Sequence, residues 1–201
     1  MEYLLLGFFT GLSLILVIGA QNIFVIEQGL KKQHILLVCL ICSLSDLILI
    51  FVGIFLFHYF VQYFNSIIEL IFNLLLIGFL LHFIYSKIKK FNSNVDFDNT
   101  KSDTSKLDIF LKTLGFTYLN PHVYSDTVFI IGNFSKNFLL NEKIIFGVGA
   151  SIASFIFFFL IGYMSKFLSK YANNQKIWKM INLFIIIFMS GLAFYVMLKI
   201  I

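Results

Sequence analysis

From Tyr3 to Ile26 the chain carries no charged side chain, and comparable apolar runs follow at about 34–57, 66–86, 109–132, 143–165 and 178–200. Each is long enough to be a helix across a hydrocarbon core of about 30 Å, which takes about 20 residues at the helical rise. The runs are continuous and do not alternate, which argues against barrel strands, and within lipid only helices and closed barrels satisfy their own backbone. An apolar share of 60% also exceeds the roughly 45–50% of soluble domains. The expected fold class is therefore all-α, a polytopic membrane protein of six transmembrane helices. The first run has no basic segment before it and exceeds the roughly 7–15 residues of a signal-peptide core, so it is expected to be retained.

All fifteen basic residues are lysine. If the spans alternate, one side collects Lys31, Lys32, the cluster from Lys87 to Lys112, Lys166, Lys170, Lys176 and Lys179, twelve in all; the other has the three at Lys136, Lys143 and Lys199. The positive-inside bias then predicts an N-out, C-out topology. The net charge of +5 suits the anionic cytoplasmic leaflet of the lipid bilayer and calls for no nucleic-acid partner.

A polar linker at 87–108, rich in Lys, Asp, Asn and Ser, separates a first three-helix unit (1–86) from a second (109–201). A duplicated three-helix unit inserts the second time upside down. A faint internal match supports such a 3+3 inverted repeat. Ser45 and Gly53 correspond to Ser154 and Gly162, and Asn73-Leu74 to Asn182-Leu183, all 109 positions apart (154 − 45, 162 − 53, 182 − 73). Plain helix packing accounts for these serines and glycines, and for Gly7 and Gly11.

It does not account for the acidic residues. Asp46 lies near the middle of the second run and Asp126 in the second half of the fourth. An aspartate at a helix centre costs about 2.5–3.5 kcal/mol on insertion scales. Together the two cost about 5–7 kcal/mol, comparable to a domain's whole stability. Either each is bonded to a neighbouring hydroxyl or amide in a structural role, or they mark a polar pathway. Pro121, the one proline of the chain, removes a backbone hydrogen bond in mid-helix at about 3 kcal/mol. It stands between Asn120 and His122, with Asp126 following, which is the company expected of a broken helix facing a polar substrate. His122 is read as an ion-paired structural residue, a proton stop or a substrate contact. In the first helix, Gly19 weakens the backbone while Gln21 and Asn22 put two amides at membrane depth. Glu27 and Gln28 are expected at that helix's exit. Cys39 and Cys42 are read as packing residues before a redox or soft-metal pair. Nothing in the pattern calls for a cofactor, a metal or enzyme chemistry.

The segments IGAQN (18–22), EQGLKKQH (27–34), SLSDLILIFVGIF (43–55), LNPHVYSDTVFIIG (119–132) and IWKMINLF (177–184) are collinear with, and resemble, the lysine/arginine exporter family, the LysE/ArgO transporters. The NPHVY form of the fourth-helix motif resembles the arginine-exporting branch more. The resemblance implies a carrier of the bacterial inner membrane that exports arginine, lysine and their toxic analogues, with Gln21, Asn22, Asp46, Asn120, Pro121 and Asp126 as its functional set. This chain departs from the family in having Ala20 where proline is usual and Ser125 where an apolar residue is usual. The expected partners are a basic amino acid and protons, exchanged by antiport, and a homo-oligomer is compatible with the pattern. The competing readings are export of neutral amino acids or cadmium, and a membrane thiol-disulfide carrier using Cys39 and Cys42.

Overall fold

The computed structural model describes residues 1–16, 19–63, 66–89, 105–172 and 175–198. Most of the predicted linker, residues 90–104, lies outside the described residues. Those described form helices and no strands: α1 (Glu2–Ile15), α2 (Ala20–Lys31), α3 (Ile35–Tyr63), α4 (Ser66–Lys89), α5 (Lys106–Tyr118), α6 (Pro121–Tyr124), a π-helical segment (Ser125–Ile130), α7 (Ile131–Ser135), α8 (Leu140–Ala172) and α9 (Gln175–Leu198).

Four of the six expected spans are single long apolar helices among the described residues, and the other two runs are divided. Four helices are long and apolar enough to cross a membrane unbroken, within α3, α4, α8 and α9. The predicted first span is instead the pair α1 and α2, bent by 83°, and it makes a fifth crossing if counted as one. The predicted fourth span is divided into α5, α6, the π segment and α7. Its main break follows from covalent structure: proline has no N–H to continue the ladder, and it disfavours helical backbone at the residue before it, Asn120. The first helix breaks without a proline. Gly19 is extended there (φ −117°, ψ −178°), a conformation open to any residue, and a Cβ on it would touch nothing.

α8 is the central post, packed against α1, α2, α3 and α9. The contacts are backbone to backbone at small residues, as expected where burying a larger apolar side chain away from lipid gains little. Gly7 and Gly11 of α1 lie against the main chain of Phe146 and Ala150. Two further crossings are alike. A Cβ on Gly132 would lie 2.6 Å from the Gly53 carbonyl oxygen, joining α7 to α3, and one on Gly29 would lie 2.5 Å from that of Gly162, joining α2 to α8. Hydroxyls inside the bundle fold back on their own helices: Ser43, Thr113, Thr117, Thr127 and Ser151 each donate to the carbonyl four residues earlier, so these hydroxyl donors are satisfied in an apolar interior.

One packed core joins α2, α3, α4, α5, α8 and α9. Its centre is Phe116, whose ring stands 4.8 Å from Phe24, 4.7 Å from Phe79 and 4.9 Å from Phe83 between centroids. Outward-facing Leu44, Ile48, Leu74, Leu81, Ile156 and Leu160 are exposed, as a lipid-facing surface requires.

Two substitutions separate close approach from loose space. Gly53→Val places new atoms where a Cβ alone would lie 2.5 Å from the Thr127 carbonyl; overpacking of this kind costs about 1–3 kcal/mol, so the thermal midpoint of the detergent-purified protein falls. Gly78→Ala, whose Cβ meets nothing within 4 Å, leaves the midpoint unchanged or raises it, since alanine favours a helix by about 1 kcal/mol over glycine.

Candidate functional site

The two broken helices meet across a cavity of about 360 Å³, within the range of about 300–1,000 Å³ typical of small-molecule sites. At the first break, the Asn22 side chain donates from Nδ2 to the Ile15 carbonyl, 3.1 Å away, closing a backbone acceptor freed by the end of α1. At the second, Asn120 Oδ1 accepts from the His122 backbone N–H at 3.1 Å, capping α6 as an N-terminal Asn should. The Tyr124 hydroxyl reaches back over the same break to the Tyr118 carbonyl at 2.9 Å. Each exposed helix end in lipid needs such a partner.

The walls of the cavity include Gly19, Gln21, Asn22, Asp46, Asn120, His122, Asp126 and Ser154. Residues from both halves of the chain are thus brought to one place. Asp46 is buried on α3, and its Oδ2 accepts from Ser154 Oγ of α8 at 2.8 Å. Asp46 is thus hydrogen-bonded by a neighbouring hydroxyl and lines the cavity as well. Asp126, in the π segment, lines the same cavity and is only half-buried. Gln21 is buried, and its Nε2 finds no acceptor among the described residues. The described wall holds two carboxylates and no lysine. It also holds the first turn of α2, whose leading N–H groups have no intrahelical partner and carry the positive end of the helix dipole.

Other predicted residues stand elsewhere. Pro121 is the first residue of α6 and sets the break. Ser45, Gly53 and Gly162 lie in packing seams and not on the cavity wall. Cys39 and Cys42 are fully buried, and Cys39 Sγ donates to the Phe158 carbonyl at 3.2 Å across the α3–α8 seam. Neither lines the cavity. Glu27 and Gln28 are not at an open exit: they are 1% and 2% exposed, and Glu27 pairs with Lys31 and Lys87.

Sequence reasoning missed Tyr195, which comes from α9 and stacks on His122 at 6.3 Å between centroids. It also missed Phe158 and Leu192. In spans where nearly every residue is apolar or aromatic, no contrast of residue type singles these out.

The family described as LysE type translocator matches residues 12–200. Similar proteins include the arginine exporter protein ArgO of Pectobacterium carotovorum subsp. carotovorum (strain PC1), 32% identical over 197 residues that cover 93% of this chain and 92% of the relative. ArgO of Pectobacterium atrosepticum is 33% identical over 199 residues, with 93% and 92% covered. ArgO of Salmonella typhimurium (strain LT2) is 31% identical over 195 residues, with 96% and 92% covered. No solved structure matches the chain. A match that spans nearly the whole sequence, on a multi-pass helical membrane protein with a polar cavity between broken helices, makes the assignment plain: the chain belongs to the LysE type translocator family and is a transporter, not an enzyme.

Proposed function

We propose that this protein exports basic amino acids, arginine foremost, from the cytoplasm across the bacterial inner membrane. The observation that carries this reading is that Asp46 and Asp126 face one cavity whose described wall contains no lysine to neutralise them. Two carboxylates on a described wall without lysine suit a solute that brings its own positive charge. The substrate's α-carboxylate is placed at the N-terminus of α2, whose first turn, with Gln21 and Asn22, lines the cavity and offers helix N–H groups to an anion. The guanidinium or ammonium head then lies toward Asp46 and Asp126, with His122 and Tyr195 as the flanking wall. The names of the similar proteins, arginine exporters, agree with this assignment; lysine and toxic analogues such as canavanine share the required charge pattern.

Transport is assigned to alternating access in a 3+3 inverted repeat of six crossings, two of them broken. Two features support the repeat. Gly53 meets Gly132 as Gly162 meets Gly29, which pairs α3 with α7 as α8 is paired with α2. The first residues of the two half-helices, Ala20 and Pro121, also occupy equivalent places in their halves. From break to contact glycine there are nine residues in one half (29 − 20) and eleven in the other (132 − 121). The π-helical segment, with its smaller rise per residue, accommodates the difference. The lysine asymmetry supports an N-out, C-out orientation.

Coupling follows from charge. Moving a cation outward against a negative-inside potential costs about 2.3 kcal/mol per 100 mV. Inward movement of one proton per cation cancels that charge, and a carboxylate that holds either a proton or the substrate, not both, performs the exchange.

Four outcomes are expected. In membrane vesicles, arginine flux responds to an imposed pH gradient at zero potential; flux indifferent to the gradient refutes antiport. In a strain without its own exporter, the wild-type protein confers canavanine resistance, while Asp46→Asn and Asp126→Asn at matched membrane levels lose it, with flux reduced at least about tenfold, the equivalent of about 1.4 kcal/mol. Ser154→Ala removes one hydrogen bond to a charged group, about 1.5–3 kcal/mol, and lowers flux without abolishing it. The double replacement Cys39→Ser, Cys42→Ser leaves arginine flux intact; its loss would favour the cadmium or thiol readings.

A further inference from the structure

A second carboxylate site lies deeper in the bundle, at Glu27. On α2, Gln21 lines the cavity, Phe24 sits in the aromatic core and Glu27 follows, about 9 Å along the axis from Gln21 at the helical rise. Glu27 is 1% exposed. Its Oε1 is 2.5 Å from Lys31 Nζ, one helical turn on, and 2.5 Å from Lys87 Nζ, which arrives from the last turn of α4. The Lys87 ammonium also donates to Asn182 Oδ1 of α9 at 3.0 Å and lies 5.6 Å from the centre of the Phe83 ring. The second carboxylate oxygen, Glu27 Oε2, is buried with no hydrogen-bond partner among the described residues. Between this cluster and the cavity stand Phe24, Phe83 and Phe116, ring against ring.

We propose that Glu27 is a transit site for the substrate's cationic head on the cytoplasmic side, occupied in this conformation by Lys87 as a tethered surrogate. The inference rests on the proposed export of basic amino acids. The Lys87 side chain presents the same ammonium group as a lysine substrate, so a pocket that accepts it accepts the solute's head by the same chemistry. Guanidinium suits the site further, because its fork delivers two parallel N–H groups and Glu27 has one oxygen still unmet. Lys31 keeps the carboxylate partly neutralised when Lys87 leaves, so the exchange does not strand a lone buried charge. Lys87 and Asn182 also tie α4 and α9 to α2. Displacing Lys87 therefore removes the polar tie of α4 to α2 and of α9 to α4, which loosens the cytoplasmic end of the route to the cavity.

Everted membrane vesicles, whose cytoplasmic face meets the medium, test this with radiolabelled arginine. Lys87→Met removes the competitor while leaving Glu27 paired to Lys31, and it lowers the KM for arginine about threefold or more. Glu27→Gln removes the site and raises the KM about tenfold, with less effect on kcat. A salt bridge that is only structural moves both variants the same way, with lower folded yield and lower flux, and that result overturns the proposal. So does a Glu27→Gln protein with wild-type KM. If Glu27→Gln does not reach the membrane, Lys87→Met decides alone: a KM that does not fall refutes the site. A wild-type protein that carries no arginine at all would instead refute the proposed function.

Discussion

Inside a bilayer, a backbone group that loses its helical partner has no water to fall back on, and the organisation of this protein follows from that. Two helices are interrupted, and each interruption is closed from within. Asn22 supplies the donor that the end of α1 lacks, Asn120 the acceptor that the start of α6 lacks, and Tyr124 covers the Tyr118 carbonyl. The same residues face the cavity or stand beside it. The chemistry that makes a broken helix tolerable in lipid also makes it a polar surface, so stability and site are one arrangement at these positions.

The breaks converge because of where the chain can approach itself. Glycines at 7, 11, 29, 53 and 132 let main chain lie directly on main chain, and this draws the two half-helices toward α3 and α8. Asp46 and Ser154, 108 positions apart, then come within a hydrogen bond. The bond holds one carboxylate in place, and among the described residues no such hydrogen bond is made to Asp126. Under the proposed repeat the position matching Asp46 is Phe155 (46 + 109). Under that repeat the scaffold would be symmetric where it packs and asymmetric where it carries charge.

The electrostatics of the bundle fall into two levels. The described cavity wall has two carboxylates and no lysine, whereas the Glu27 carboxylate is paired through one oxygen with Lys31 and Lys87.

Much was legible in the residues alone. Continuous apolar runs determined a helical membrane protein, and Asp46, Asn120, His122 and Asp126, the polar misfits in those runs, line the cavity, as expected where polar groups in lipid are too costly to be incidental. Pro121 also determined a break, by its missing N–H. Only the tertiary structure decided that helix 1 breaks with alanine at position 20, that Glu27 and Gln28 are buried, and that Tyr195 completes the site. A break without proline depends on a side chain seven residues from the carbonyl it satisfies. Burial of a helix-end glutamate depends on lysines delivered by the next turn and by a distant helix. An aromatic residue among aromatic residues carries no local signal. What a residue type forbids in lipid can be read one position at a time; which partner relieves it is set by packing across the bundle.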